Sequence, residues 1–179
     1  MTIISGHQRV RACKELGILE VPCRITHYKD YDDNTGTPKE DMILEDLICT
    51  NIMQRGVGNV NAQKMCKCIM ELERIYGIKN GGDRKSEQDN LTVNKTQTDL
   101  ADTIGISRQQ LQDYKKLNDL IPELQSLIES GSMKATVGYK IWAKMPQEEQ
   151  EKFFNENGRD KIKSLTQKAT EELINKKSL

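Results

Sequence analysis

The residues best suited to chemistry crowd into one stretch, Ser107-Arg108-Gln109-Gln110, followed by Gln112 and Asp113. Arginine and glutamine are planar, multiply hydrogen-bonding groups. On an exposed helix they match the base edges of a duplex: arginine takes guanine O6 and N7, and glutamine takes adenine N6 and N7. A helix start beginning at Ser107 adds free N–H groups that can hold a phosphate. Lys115 and Lys116 are placed for backbone phosphates, and Gln97, at the head of the same segment, completes the expected contact set.

Two helices must position this face. With Gln97 as position one, positions 4, 8, 10, 15 and 18 are Leu100, Ile104, Ile106, Leu111 and Tyr114, an apolar frame at helix-turn-helix spacing. Position 5, where two helices would cross, is the small Ala101. Position 9, where the chain must turn with positive φ, is Gly105. Thr96 with Asp99, and Ser107 with Gln110, form capping pairs at the two helix starts. In such a pair the second helix enters the major groove.

Charge and composition bound this reading. Lys+Arg and Asp+Glu both number 27 in 179 residues, so the formal net charge is zero. Phosphate contact must then come from local patches, such as the part from Ser132 onward, with ten Lys/Arg against seven Asp/Glu. Modest nonspecific affinity, with some dependence on dimerisation, is the expectation. No apolar run approaches the roughly 18–20 residues that span a bilayer, and no signal-peptide pattern opens the chain, which makes the cytoplasm, in association with DNA, the expected location. The five cysteines, Cys13, Cys23, Cys49, Cys66 and Cys68, include no CxxC pair and read as small apolar residues rather than metal ligands.

Along the chain, Ile3-Ile4 reads as the end of a strand. Gly6 opens a helix to about Leu16, stopped by Gly17. Val21–Thr26 reads as a short edge strand, and 28–38 as a polar loop. A Thr37/Glu40 capping box with Pro38 at the first helical position starts a helix to about Asn51. Asn59 or Asn61 caps a helix with a Met65, Cys68, Ile69, Leu72, Ile75 or Tyr76 stripe, ended by Gly77. Residues 79–95, with adjacent glycines and few apolar side chains, read as a linker. Beyond Thr96 the chain reads as helical, with Pro122 early in one helix, Ser132 capping another to Lys144, Pro146 starting a third to Gly158, and Ser164 with Gln167 capping a last helix to about Asn175. The expected fold class is mainly α. A small truncated α/β portion (1–55) comes first, then a connector helix and linker (56–94), then a helical DNA-binding domain (95–179).

Three features in this order resemble the ParB family of partition proteins. Gly6-His7-Gln8-Arg9-Val10-Arg11-Ala12, with Leu16-Gly17 and Val21-Pro22-Cys23 after it, is similar to that family's GERRxRA box. Thr50-Asn51-Ile52-Met53-Gln54-Arg55 is similar to its ENxxR box, with the spacing from Asn51 to Arg55 one residue longer. The third feature is the helix-turn-helix with Leu117 to Leu120 and Ile121-Pro122-Glu123-Leu124-Gln125. The resemblance implies sequence-specific binding of double-stranded DNA in plasmid, phage or chromosome partition. It also implies a site for cytidine triphosphate (CTP) with Mg2+. Gly6, Arg9 and Arg11 would contact phosphates, and Asn51 and Arg55 would serve metal or phosphate. On a helix, Arg9 and Arg11 point about 200° apart, so both reach one ligand only where it wraps the helix start.

The chain departs from the family pattern at several points. Thr50 stands where the family has the glutamate tied to hydrolysis, His7 and Gln8 replace Glu and Arg, and only five residues precede the first box, fewer than the strands that build the family's pocket. No catalytic role is therefore expected. A metal nuclease would need clustered carboxylates, and Asp30, Asp32 and Asp33 instead sit in a polar loop. Sulfiredoxin-like chemistry needs a cysteine where His7 follows Gly6. The last helix is too short for a long coiled coil but long enough to pack on a second copy, as a homodimer would require. The alternative is a transcriptional regulator of a mobile element, using the same helix-turn-helix without nucleotide.

Overall fold

Glycine decides where the first helix starts and stops. In the computed structural model, which describes residues 3–78, 95–165 and 167–175, Gly6 takes φ 90° at the head of α1 (His7–Glu15). The chain leaves that helix through Gly17 at φ 70°. Among the described residues no strand forms. Residues 18–29 take no regular secondary structure, and Tyr31 and Pro38 make an isolated antiparallel bridge. The expected strands at Ile3-Ile4 and Val21–Thr26 are thus corrected: alternating apolar residues favour an extended backbone, but a strand exists only when a neighbour pairs its N–H and C=O groups. The small α/β portion reduces to helices and an irregular loop.

α2 spans Lys39–Arg55, with Pro38 as its N-cap. The Thr37/Glu40 capping box does not form. The Thr37 hydroxyl instead lies 2.7 Å from the Thr35 hydroxyl, because Pro38 and not Thr37 occupies the cap. α3 (Ala62–Ile75) follows, and Asn61 Oδ1 accepts from the backbone N–H groups of Gln63 and Lys64 at 3.0 and 3.4 Å. Met65, Ile69 and Leu72 of the expected stripe are buried. Cys66 is fully buried as well, while Cys68 is only partly so. All but the last residue of the expected linker, 79–95, lie outside the described residues.

α4 is Gln97–Ile104 and α5 is Arg108–Lys115. α6 (Pro122–Glu129) carries Pro122 at its first position. α7 (Ala135–Lys140) starts two residues later than expected, with Lys134 as its cap. Ser132 does not cap it; its hydroxyl accepts from Ser130 Oγ at 3.0 Å. α8 (Gln147–Asn157) runs as expected to Gly158. α9 (Arg159–Ser164) is a helix that the sequence reading did not anticipate, and Ser164 ends it, donating to the Lys161 carbonyl at 2.7 Å. Ser164 is therefore spent inside α9 and does not start α10 (Gln167–Asn175).

The chain forms two compact units, Met1–Gly58 with Leu72–Gly105, and Asn59–Glu71 with Ile106–Leu179. In the first unit α4 lies against α2. Side chains clamp the region: Arg74 grips Asp41 with two bonds of 2.7 and 3.1 Å, and the Tyr76 hydroxyl donates to Glu45 at 2.6 Å. Lys95 reaches the same Glu45 oxygen at 3.2 Å while sitting 3.6 Å from the centre of the Tyr76 ring. The second unit has one hydrophobic core, including Leu117, Leu120, Leu124, Val137, Trp142 and Phe153. The Trp142 and Phe153 rings meet edge to face at 5.3 Å.

Gly138 is set by that packing. A Cβ there would come within 2.7 Å of Ile128 Cδ1 and 3.0 Å of Leu117 Cδ2. Gly138→Ala is expected to lower stability by about 1–3 kcal/mol, read as a lower denaturation midpoint at unchanged slope. All five cysteines are free thiols, Cys66 alone fully buried, and burial pushes the Cys66 thiol up to about 11. That thiol stays protonated and packs as an apolar group.

Candidate nucleic-acid interface

α4 and α5 owe their starts to local hydrogen bonds. Thr96 Oγ1 accepts from the Asp99 N–H at 3.2 Å, and Asp99 Oδ2 accepts from the Thr96 N–H at 2.7 Å. The Thr96 hydroxyl, which lies 2.7 Å from Asp99 Oδ2 and donates to it, and then the Thr96 N–H hold the Asp99 carboxyl below the usual carboxylate range. Gly105 then takes φ 74° and ψ 37°, the left-handed region that glycine enters without steric cost. Ser107 repeats the box: its hydroxyl accepts from the Gln110 N–H at 3.1 Å, and its own N–H donates to Gln110 Oε1 at 2.9 Å. The apolar frame is buried where expected, with Leu100, Ala101, Ile104, Ile106 and Leu111 all inside; Tyr114 is half-buried.

The reverse side of α5 faces out. Ser107, Arg108, Gln109 and Gln110 are exposed, and Gln112 and Asp113 are partly so. The first turn carries no acidic residue, so the positive end of the helix is not offset there. Not all of these groups are equally available. Gln110 Oε1 is held by the cap. Asp113 Oδ1 accepts from Gln109 Nε2 at 3.1 Å and from Lys116 Nζ at 2.9 Å. Lys116 is exposed and Lys115 partly buried. Gln97 sits in the other unit, where its amide donates to Glu73 Oε1 at 3.1 Å.

A second candidate site lies wholly within the first unit. A cavity of about 1210 Å³ opens between the head of α1, the irregular segment 21–28 and α2. Gly6 and Arg9 line it from α1, and Asn51 lines it from α2. Arg11 does not line it; its side chain is three-quarters exposed and pairs with Glu15 at 3.3 Å. Arg55, one turn beyond Asn51, is also not among the lining residues. Sequence reasoning missed Arg24, His27 and Lys39, which add cationic or titratable groups to the wall, and Asp46, whose carboxylate accepts from the Tyr28 hydroxyl. Burial, followed by that bond, pushes the Tyr28 phenol up to about 12. The signal available in the sequence was the Arg24/His27 pair just after Pro22, but spacing could not show that this segment folds back over α1. The cavity exceeds the usual range for small-ligand sites, and its donors suit an anion. Asp46, Thr50, Asn51 and Gln54 are the oxygen-bearing groups of the α2 wall. Magnesium, which typically takes one or two protein oxygens besides phosphate and water, could be held there. Among the described residues no three His, Cys, Asp or Glu side chains cluster as a metal site, and no helix is long and apolar enough to cross a membrane.

Comparison with known proteins gives three findings. The family model described as the ParB HTH domain matches residues 88–178. The crystal structure of the C-terminally truncated chromosome-partitioning protein ParB from Caulobacter crescentus, complexed to the centromeric parS site, is similar with a TM-score of 0.59 and 25% identity; the match covers 97% of this chain and 74% of that one. No curated protein matches by sequence.

Proposed function

The chain belongs to the ParB HTH-domain family, and from that premise we propose that it binds double-stranded DNA at a specific sequence, in the service of DNA partition, by laying α5 in the major groove. The observation that carries this reading is the exposed Arg108 and Gln109 at the start of a helix whose other side is anchored by the fully buried Leu111. Arginine and glutamine there can address guanine and adenine, while Ser107 and the free N–H groups of the first turn take a phosphate. The similar Caulobacter protein was crystallised on its parS site, which supports DNA as the partner. Binding as a homodimer would double the contact and offset the neutral net charge.

The cavity supports a regulatory nucleotide. Its Gly6 lets the backbone approach a phosphate, and Arg9, Arg24 and Lys39 supply positive charge around it. CTP with Mg2+ is the ligand we assign to it, with Gly6, Arg9 and Asn51 as its contacts and no hydrolytic step. When bound, the nucleotide would supply negative charge that draws α1 and α2 together, and the chain's own residues bind and orient it. Selection of bound sites from random duplex, followed by footprinting with and without CTP, tests both parts. The expected result is one enriched motif whose footprint extends when CTP is present. Failure to enrich any motif would sink the DNA reading, and a footprint blind to nucleotide would sink the cavity's assignment.

A further inference from the structure

We propose that Asp113 is a positioning residue that sets which base Gln109 accepts; this rests on α5 being the helix that reads DNA. An ionised carboxylate only accepts hydrogen bonds, whereas the glutamine amide has a donor end and an acceptor end that are nearly equal in size. Asp113 Oδ1 takes Gln109 Nε2 at 3.1 Å, so the nitrogen end is turned along the helix and Oε1 points away from the carboxylate. Gln109 is exposed and lies one turn ahead of Asp113. Its outward oxygen and its second amide hydrogen are the acceptor–donor pair that adenine N6 and N7 require. An unfixed glutamine would present either end and discriminate less.

The same carboxylate oxygen holds Lys116 Nζ at 2.9 Å. Asp113 therefore has a second effect: it keeps a cation back from the phosphates and adds a negative charge to the face that meets them. Both effects favour choice over grip. Asp113 loses no phosphate contact by doing so, since a carboxylate would repel the phosphate backbone.

Asn is the discriminating replacement. Asp113→Asn keeps the shape but can donate to Gln109 Oε1 as readily as it accepts from Nε2, so the amide is free to reverse. It also removes the charge and releases Lys116. Affinity for random duplex should rise about threefold or more at low salt, with a salt dependence steeper by about one phosphate contact. Preference for adenine over the other bases at one position of the selected site should fall roughly fivefold or more. Asp113→Glu, which keeps an acceptor-only carboxylate, should retain most of that preference. The readouts are binding to a randomised duplex and to four site variants at that position, with Gln109→Ala measured alongside. If Asp113→Asn keeps the wild-type base preference while Gln109→Ala loses it, the positioning role is wrong and the α5 reading stands. If neither variant changes base preference at any position, the α5 reading fails first.

Discussion

Replacing Gln150 by Leu is expected to destabilise the second unit by about 3–5 kcal/mol, lowering its thermal midpoint by roughly 12 °C or more. Gln150 is fully buried in α8. Its Oε1 accepts from the Ile121 N–H at 3.0 Å, at the head of α6. Its Nε2 faces three carbonyls: Met145 at 2.9 Å, Asp119 at 3.1 Å and Trp142 at 3.2 Å. One amide thus satisfies the turn before α6 and the turn before α8 together. Leucine fills the volume but leaves the Ile121 N–H and the Met145 carbonyl without that partner, each costing about 1–3 kcal/mol in a dry interior.

Gln150→Glu separates charge from shape. It keeps an acceptor for Ile121 but aims a carboxylate at three carbonyls, so its folded-state pKa should rise above the ordinary glutamate value of about 4.3. A raised folded pKa gives stability that is complete below the unfolded pKa and lost as pH rises through the folded one. The variant should therefore be poorly stable at neutral pH and recover as pH falls toward about 4. Thermal melts of both variants between pH 4 and 8, by circular dichroism, read the result. Wild-type stability in Gln150→Leu would show that the amide network contributes nothing.

Arg108→Ala is expected to weaken binding to the selected site by about 5- to 150-fold, equivalent to about 1–3 kcal/mol, while random duplex loses far less. Arg108 is the first residue of α5 and is exposed, so the change removes a guanidinium without disturbing the cap formed by Ser107 and Gln110. Choice at one base pair should relax at the same time. A uniform loss on every duplex, with an unchanged motif, would instead mark Arg108 as a phosphate contact. Unchanged binding on all duplexes would remove α5 from the interface. Unfolding curves for the variant, expected to overlay the wild type, keep the loss attributable to the surface.

What the sequence by itself determined is whatever a few neighbouring residues can enforce. The two capping boxes at Thr96/Asp99 and Ser107/Gln110, the left-handed Gly105 and the apolar frame from Leu100 to Leu111 are each settled within one or two helical turns. The exposed outer face of α5 was therefore legible in the sequence alone, as were the helix ends at Gly17 and Gly158. Short-range signals failed where a long-range partner had the deciding role. Val21–Thr26 alternates like a strand but finds no strand to pair with, and Ser164 resembles a cap but ends α9. Nothing local sets Gln150 apart from the other polar residues of α8; Ile121 and the carbonyls of two turns, which close around it, do. The wall of Arg9, Arg24, Lys39 and Asn51 likewise exists only once α1, the segment 21–28 and α2 come together around one cavity. Periodicity reports which face of an element is apolar; which groups meet across the fold is fixed by packing, and packing joins residues that no local pattern relates.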